Sequence, residues 1–88
     1  MASCEKLLHR ARTSPAGLRF EELCQLAECH GFIFARQNGS HRMYKRAGYP
    51  QVMNFQDDGG KAKGYQVKQL LIAIDDIAST SEEKDEAL

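Results

Sequence analysis

Gly31-Phe32-Ile33-Phe34-Ala35-Arg36-Gln37-Asn38-Gly39-Ser40-His41-Arg42-Met43-Tyr44-Lys45-Arg46 is the stretch from which the fold can be read. Asn38-Gly39 is a two-residue hairpin signal, because both central positions of a type I′ turn need positive φ. The register that follows sets Gln37 opposite Ser40, Arg36 opposite His41, Phe34 opposite Met43 and Phe32 opposite Lys45. Directly opposed residues share a face of the sheet. One face is therefore expected to carry Phe32, Phe34 and Met43 together with Arg36, His41 and Lys45. A histidine near a turn among fixed positive charges suits chemistry on a phosphodiester. The competing reading is a polar, solvent-facing hairpin end.

Working outward, Ser3 can cap a short helix through about Arg12, with Leu7, Leu8 and Ala11 on one side. Thr13-Ser14-Pro15-Ala16-Gly17 breaks it. Phe20, Leu23, Cys24 and Ala27, with Leu26 alongside, recur at the helical period and predict a helix from about Arg19 to His30. Gly31 fits the C′ position that ends it. Strands are expected at about 32–37, 41–46 and 51–56, with Ala47-Gly48-Tyr49-Pro50 as a loop. A flexible loop then covers Asp57 to Gly64. Val67, Leu70, Leu71, Ile74, Ile77 and Ala78 stripe a last helix from about Tyr65 to Ala78. Residues 79–88 are polar and acidic and read as a disordered tail. Helix–strand–strand–strand–helix plus a short N-terminal helix is an α+β sandwich. Two main helices would lie on one face of a three-stranded antiparallel sheet.

Eighty-eight residues make one small domain, expected over 1–78. A core of this size favours binding a large substrate on an open surface over enclosing a small one. No apolar run approaches membrane-spanning length, and the N-terminus has no signal-peptide pattern. Cys4, Cys24 and Cys29 are odd in number and form no Cys-x-x-Cys pair. Reduced, idle thiols and a cytoplasmic location are the expectation. The formal net charge is zero but unevenly spread. Residues 36–68 hold seven cations against Asp57 and Asp58, a net +5. Residues 75–88 hold six acids and one lysine, a net −5. The middle of the chain can attract a polyanion while the whole is neutral.

Gly31-Phe32 followed by Arg36-Gln37-Asn38-Gly39-Ser40-His41 resembles the Gly-Ser-His motif of the HicA family of toxins from toxin–antitoxin systems. Phe20-Glu21-Glu22-Leu23 and Leu26 fit the family's first helix. Gly59-Gly60-Lys61-Ala62-Lys63 and Gln66-Val67-Lys68-Gln69-Leu70-Leu71 fit its last loop and helix. The resemblance covers about residues 19–78. It implies a double-stranded-RNA-binding-domain-like fold, an endoribonuclease that cuts messenger RNA, and a HicB-like antitoxin as partner. It maps the family's catalytic histidine onto His41, with Gly39 and Ser40 as motif neighbours. The chain departs from the family at its third strand. Many members carry a proline and a histidine there, and this chain reads Met53-Asn54-Phe55-Gln56-Asp57.

Histidine titrates near neutral pH and can move the proton of an attacking 2′-hydroxyl. Arginine and lysine can stabilise charge on the phosphate. His41 is thus the expected catalytic group. Arg36, Ser40, Arg42, Lys45, Lys61, Lys63 and Lys68 are the expected contacts to single-stranded RNA. Gly59 to Gly64, entering a helix with two lysines, makes a plausible anion site but lacks P-loop spacing. His30, at a helix C-terminus, is expected to gain from partial positive charge. Neither it nor His9 has a partner at metal spacing, so no metal and no cofactor are expected. Two other readings use the same residues. One is a non-catalytic RNA-binding module. The other is a protein-interaction domain whose cations meet an acidic partner.

Overall fold

A computed structural model describes the backbone of residues 3–87 and the side chains of residues 3–79. Helix α1 spans Cys4–Thr13, and the Ser3 hydroxyl caps it by accepting from the Lys6 N–H at 3.2 Å. Pro15–Gly17 forms a short 3₁₀ turn. Helix α2 spans Phe20–Cys29. It ends where Gly31 takes φ +86°. There the Phe32 N–H donates to the Ala27 carbonyl and the Gly31 N–H to Glu28, the paired bonds of a Schellman motif. Gly31 is doubly required. A Cβ there would stand 2.9 Å from Arg46 Nε, which itself donates to the His30 carbonyl at 2.9 Å.

Strands β1 (Ile33–Asn38), β2 (His41–Arg46) and β3 (Tyr49–Gln56) form one antiparallel sheet in the order β1-β2-β3. Helix α3 follows over Gly64–Ala87. The architecture is α+β, a three-stranded antiparallel sheet with three helices, the first short, as the sequence pattern predicts. The buried residues Phe32, Tyr44, Met53 and Phe55 face Leu23, Leu26, Val67, Leu70 and Ile74 of the helices, with Leu7 and Ala11 of α1 closing the core. The alternate strand residues stay open: Val52 and Asn54 are exposed, and so is all of β1.

The register differs from the expected one. Asn38 pairs with His41, Gln37 with Arg42 and Arg36 with Met43. The loop is thus Gly39-Ser40, not Asn38-Gly39. Among the described residues no non-glycine has positive φ, so Asn38 does not enter a type I′ turn, while Gly39 takes +62° at the first loop position, where a type II′ turn needs it. A bulge at Ala35 then sets Phe34 opposite Tyr44 and Ile33 opposite Lys45. Without it, Arg36 outward would force Phe32 outward too. With it, Phe32 is 1% exposed in the core.

Two boundaries also move. Tyr49 and Pro50 belong to β3, with Arg46 paired to Tyr49 across a two-residue Ala47-Gly48 turn. Pro50 is tolerated because β3 is an edge strand. Helix α3, expected to end near Ala78, continues to Ala87. No glycine or proline follows Gly64 to stop it. The side chains of the expected acidic tail beyond Ser79 lie outside the described residues.

Two of the three thiols expected to be reduced and buried or idle are instead paired. Cys4 and Cys29 form a disulfide, Cα–Cα 5.9 Å, tying the start of α1 to the end of α2. Only Cys24 is free, and it is buried. The pairing removes the cysteine argument for a reducing compartment. Among the described residues, no helix is long and apolar enough to cross a membrane.

Candidate active site on the open sheet face

His41 begins β2, immediately after the Gly39-Ser40 loop. Alternation along β2 sends Arg42, Tyr44 and Arg46 toward the helices, and His41, Met43 and Lys45 to the open face. Arg36 lies opposite Met43 and so shares that face, diagonal to His41. The expected grouping of Arg36, His41 and Lys45 therefore holds despite the changed register. A displacement of the pairing by two residues keeps every side chain on its original face. Phe32 and Phe34 do not join them: Phe32 is buried, and the Phe34 ring stands edge-on to Tyr44 at 6.0 Å.

His41 is half-buried and its Nδ1 lies 3.1 Å from Asn54 Oδ1. An amide oxygen can only accept, so this bond places the proton on Nδ1. Nε2 keeps its lone pair as an acceptor. Asn54 projects from β3 two residues before Gln56, the direct register partner of His41, and so lies diagonal to His41 on the same face. Sequence reasoning passed over Asn54. The signal available was its outward place between the inward Met53 and Phe55.

The loop after β3 is built against this site. Asp57 N–H donates to the Ser40 carbonyl at 2.8 Å, holding the lysine loop beside the hairpin turn. Asp57 Oδ1 accepts from the Gly60 N–H at 2.7 Å. Asp58 and Lys61 exchange two backbone hydrogen bonds, and the Phe20 N–H donates to the Gly60 carbonyl. The segment expected to be flexible is thus cross-linked by main-chain bonds, with Gly59 and Gly60 supplying positive φ. Lys61 is exposed, whereas Lys63 reaches Asp58 at 3.6 Å. Gln66, buried at the start of α3, accepts from the Gln56 N–H at 2.8 Å and fixes the helix to the end of β3 opposite His41. Lys68 is exposed on the next turn of α3.

Arg42 stands apart from the rest. Its guanidinium lies 4.8 Å from the Phe20 ring centroid and 3.9 Å from Cys24 Sγ, on the helix side of the sheet. Burial, and then the bond with Cys24, push the Tyr44 phenol up to about 12. Burial likewise raises the Cys24 thiol, outweighing its bonds to Tyr44 and Arg42. Both groups lie on the helix side of the sheet, away from the face that carries His41. His30 also departs from expectation. Burial first, then the charges of Arg12 and Arg46, lower its pKa, and these outweigh any gain from the helix end. Among the described residues, no three His, Cys, Asp or Glu side chains gather as a metal site.

The arrangement offers one imidazole oriented by an amide oxygen, with Arg36 diagonal to it and Lys45 about 13 Å farther along β2, on a surface open to a polymer. In comparisons with known proteins, no family model matches the chain, and neither does any curated protein or solved structure.

Proposed function

We propose that the chain is a metal-independent endoribonuclease, a HicA-like toxin that cuts messenger RNA and is neutralised by a HicB-like antitoxin. The observation that carries the reading is the His41–Asn54 pair on an open sheet face shared with Arg36 and Lys45. In this reading His41 Nε2 takes the proton of a ribose 2′-hydroxyl. The 2′-oxygen attacks the adjacent phosphorus, and the bond to the 5′-oxygen breaks. The products are a 2′,3′-cyclic phosphate and a 5′-hydroxyl, the leaving oxygen taking its proton from water. Arg36 and Lys45 offset the charge that builds on the phosphate. Lys61, Lys63 and Lys68 hold phosphates farther along the strand.

The test pairs two measurements on one labelled RNA. His41→Ala should lower the cleavage rate by about 10²- to 10⁴-fold, the usual loss of a positioned proton-transfer group. Binding of the same RNA should be kept, since the cations remain. Cleavage retained by the variant would overturn the assignment. In cells, expression of the native chain alone should slow growth, and co-expression with the antitoxin should restore it. A second reading, a non-catalytic RNA-binding module, is favoured by one feature: Asn54, the partner of His41, cannot act as a second proton donor to the leaving group at neutral pH.

A further inference from the structure

We infer that the open sheet face holds an unpaired nucleobase beside the phosphate that His41 acts on, which makes single-stranded RNA the substrate. The inference rests on the ribonuclease reading and adds to it a base site, which would give the single-strand preference expected from the sequence a physical source. Five large apolar residues are exposed among those described, and two of them, Ile33 and Val52, line a hollow of about 450 Å³ on the open face, with Phe34 only at its rim. Met43 is also part of its lining, and Arg36 and Lys45 supply its charge. Met43 follows His41 by two positions on the same face of β2, about 7 Å along the strand.

The chemistry of the hollow chooses its occupant. The whole sheet, residues 33–56, contains no Asp or Glu, yet carries Arg36, Arg42, Lys45 and Arg46. An apolar floor between cations matches a ligand that is flat and apolar in one part and anionic in the next. A nucleotide is such a ligand, with its base over Ile33, Val52 and Met43 and its phosphates toward Arg36 and Lys45. Stacking on a protein surface tolerates any base, because every base has a π-face. A base inside a duplex is stacked on its neighbours and cannot enter, so the hollow selects unpaired strands. The 2′-hydroxyl attack also needs a flexible backbone that can reach an in-line geometry, which a single strand provides.

The experiment uses the full chain carrying His41→Ala, so that the RNA stays intact. Three fluorescent probes are titrated: a short single-stranded RNA, the same RNA as a duplex, and the single strand with one abasic site at the cleaved position. The single strand should bind at least about 10-fold tighter than the duplex, and the abasic strand about 5-fold or more weaker than the intact one. Ile33→Ser and Val52→Ser should each weaken the intact strand to a similar degree while leaving the salt slope unchanged, because no phosphate contact is lost. Both residues are more than half exposed, so the variants should keep the fold. Val52→Tyr, which enlarges the stacking plane, should tighten binding. Equal affinity for duplex and single strand, or serine variants that bind like the parent, would overturn the base site and leave the ribonuclease reading standing. Loss of all RNA binding and of cleavage by the native chain would overturn both. Self-association that the serine variants abolish, with RNA affinity unmoved, would assign the hollow to a protein contact and overturn the base site.

Discussion

Among the described residues, Asn54 is the one hydrogen-bond partner of the His41 ring. The bond from Nδ1 to Asn54 Oδ1 fixes both the ring plane and the tautomer, and so decides which nitrogen meets substrate. Asn54 acts through His41 and is a positioning residue. Asn54→Ala should reduce cleavage by up to about 10-fold, the worth of one neutral hydrogen bond, with RNA affinity unchanged. Asn54→Asp separates this role from a merely structural one. A carboxylate beside Nδ1 favours the charged imidazolium. The acid limb of the pH–rate profile should therefore move to higher pH, by about one unit for each 1.4 kcal/mol of added attraction. A limb that stays in place in the Asp variant would detach Asn54 from the chemistry.

At the scale of elements, two connections deserve tests. The lysine loop is joined to the hairpin by the Asp57–Ser40 bond and to α2 by the Gly60–Phe20 bond. It therefore presents Lys61 on a fixed frame. Lys63 must leave Asp58 before it can meet a phosphate, and that ion pair is solvent-exposed and weak. Lys61→Ala with Lys63→Ala should lower RNA affinity uniformly across sequences and reduce the salt slope by about one to two units. An unchanged slope would make the loop a connector alone. The second connection is the Cys4–Cys29 disulfide, which closes a sequence separation of 25 residues. Cys4→Ser should destabilise the fold by about 3 kcal/mol, the entropy a loop of that length returns to the unfolded chain. Thermal unfolding with and without reductant checks it: reductant should lower Tm in the parent and leave the variant unmoved. Leu7 and Ala11 of α1 are fully buried in the core, so α1 should stay docked without the disulfide.

Across the whole molecule, pH acts on stability through a few groups that the fold shifts. His30 has a folded pKa below its ordinary 6.5, set first by burial and then by Arg12 and Arg46. Its contribution is complete above the unfolded value and is lost as pH falls through the lowered one. Asp75, held below its ordinary 3.8 first by its hydrogen bond from Arg12, adds a second loss at more acidic pH. Melting temperature should thus be flat near pH 7 to 8, fall below about pH 6.5, and fall again below about pH 4. His30→Gln should remove the first step and keep the second. A first step that survives in His30→Gln would assign it to another group.

Local patterns along the chain are enough to place the elements and their order. Helical spacing in Phe20, Leu23, Cys24 and Ala27, the C′ glycine Gly31, and the apolar stripe from Val67 to Ile77 act within a few residues of one another. So does the turn chemistry between β1 and β2. These signals placed the α+β architecture and the shared face of Arg36, His41 and Lys45. The hairpin register was beyond them. Turns at Asn38-Gly39 and at Gly39-Ser40 both bury Tyr44, because they differ by a two-residue displacement that leaves faces unchanged. Tertiary packing decided between them, and the Ala35 bulge came with that decision, since Phe32 must go in while Arg36 stays out. The same holds for the pairs that join distant parts of the chain. Asn54 beside His41, Cys4 bonded to Cys29, and Arg42 turned to Phe20 and Cys24 are each separated by more than ten residues. No local propensity encodes such contacts. They exist because the sheet and helices meet at one particular depth and register.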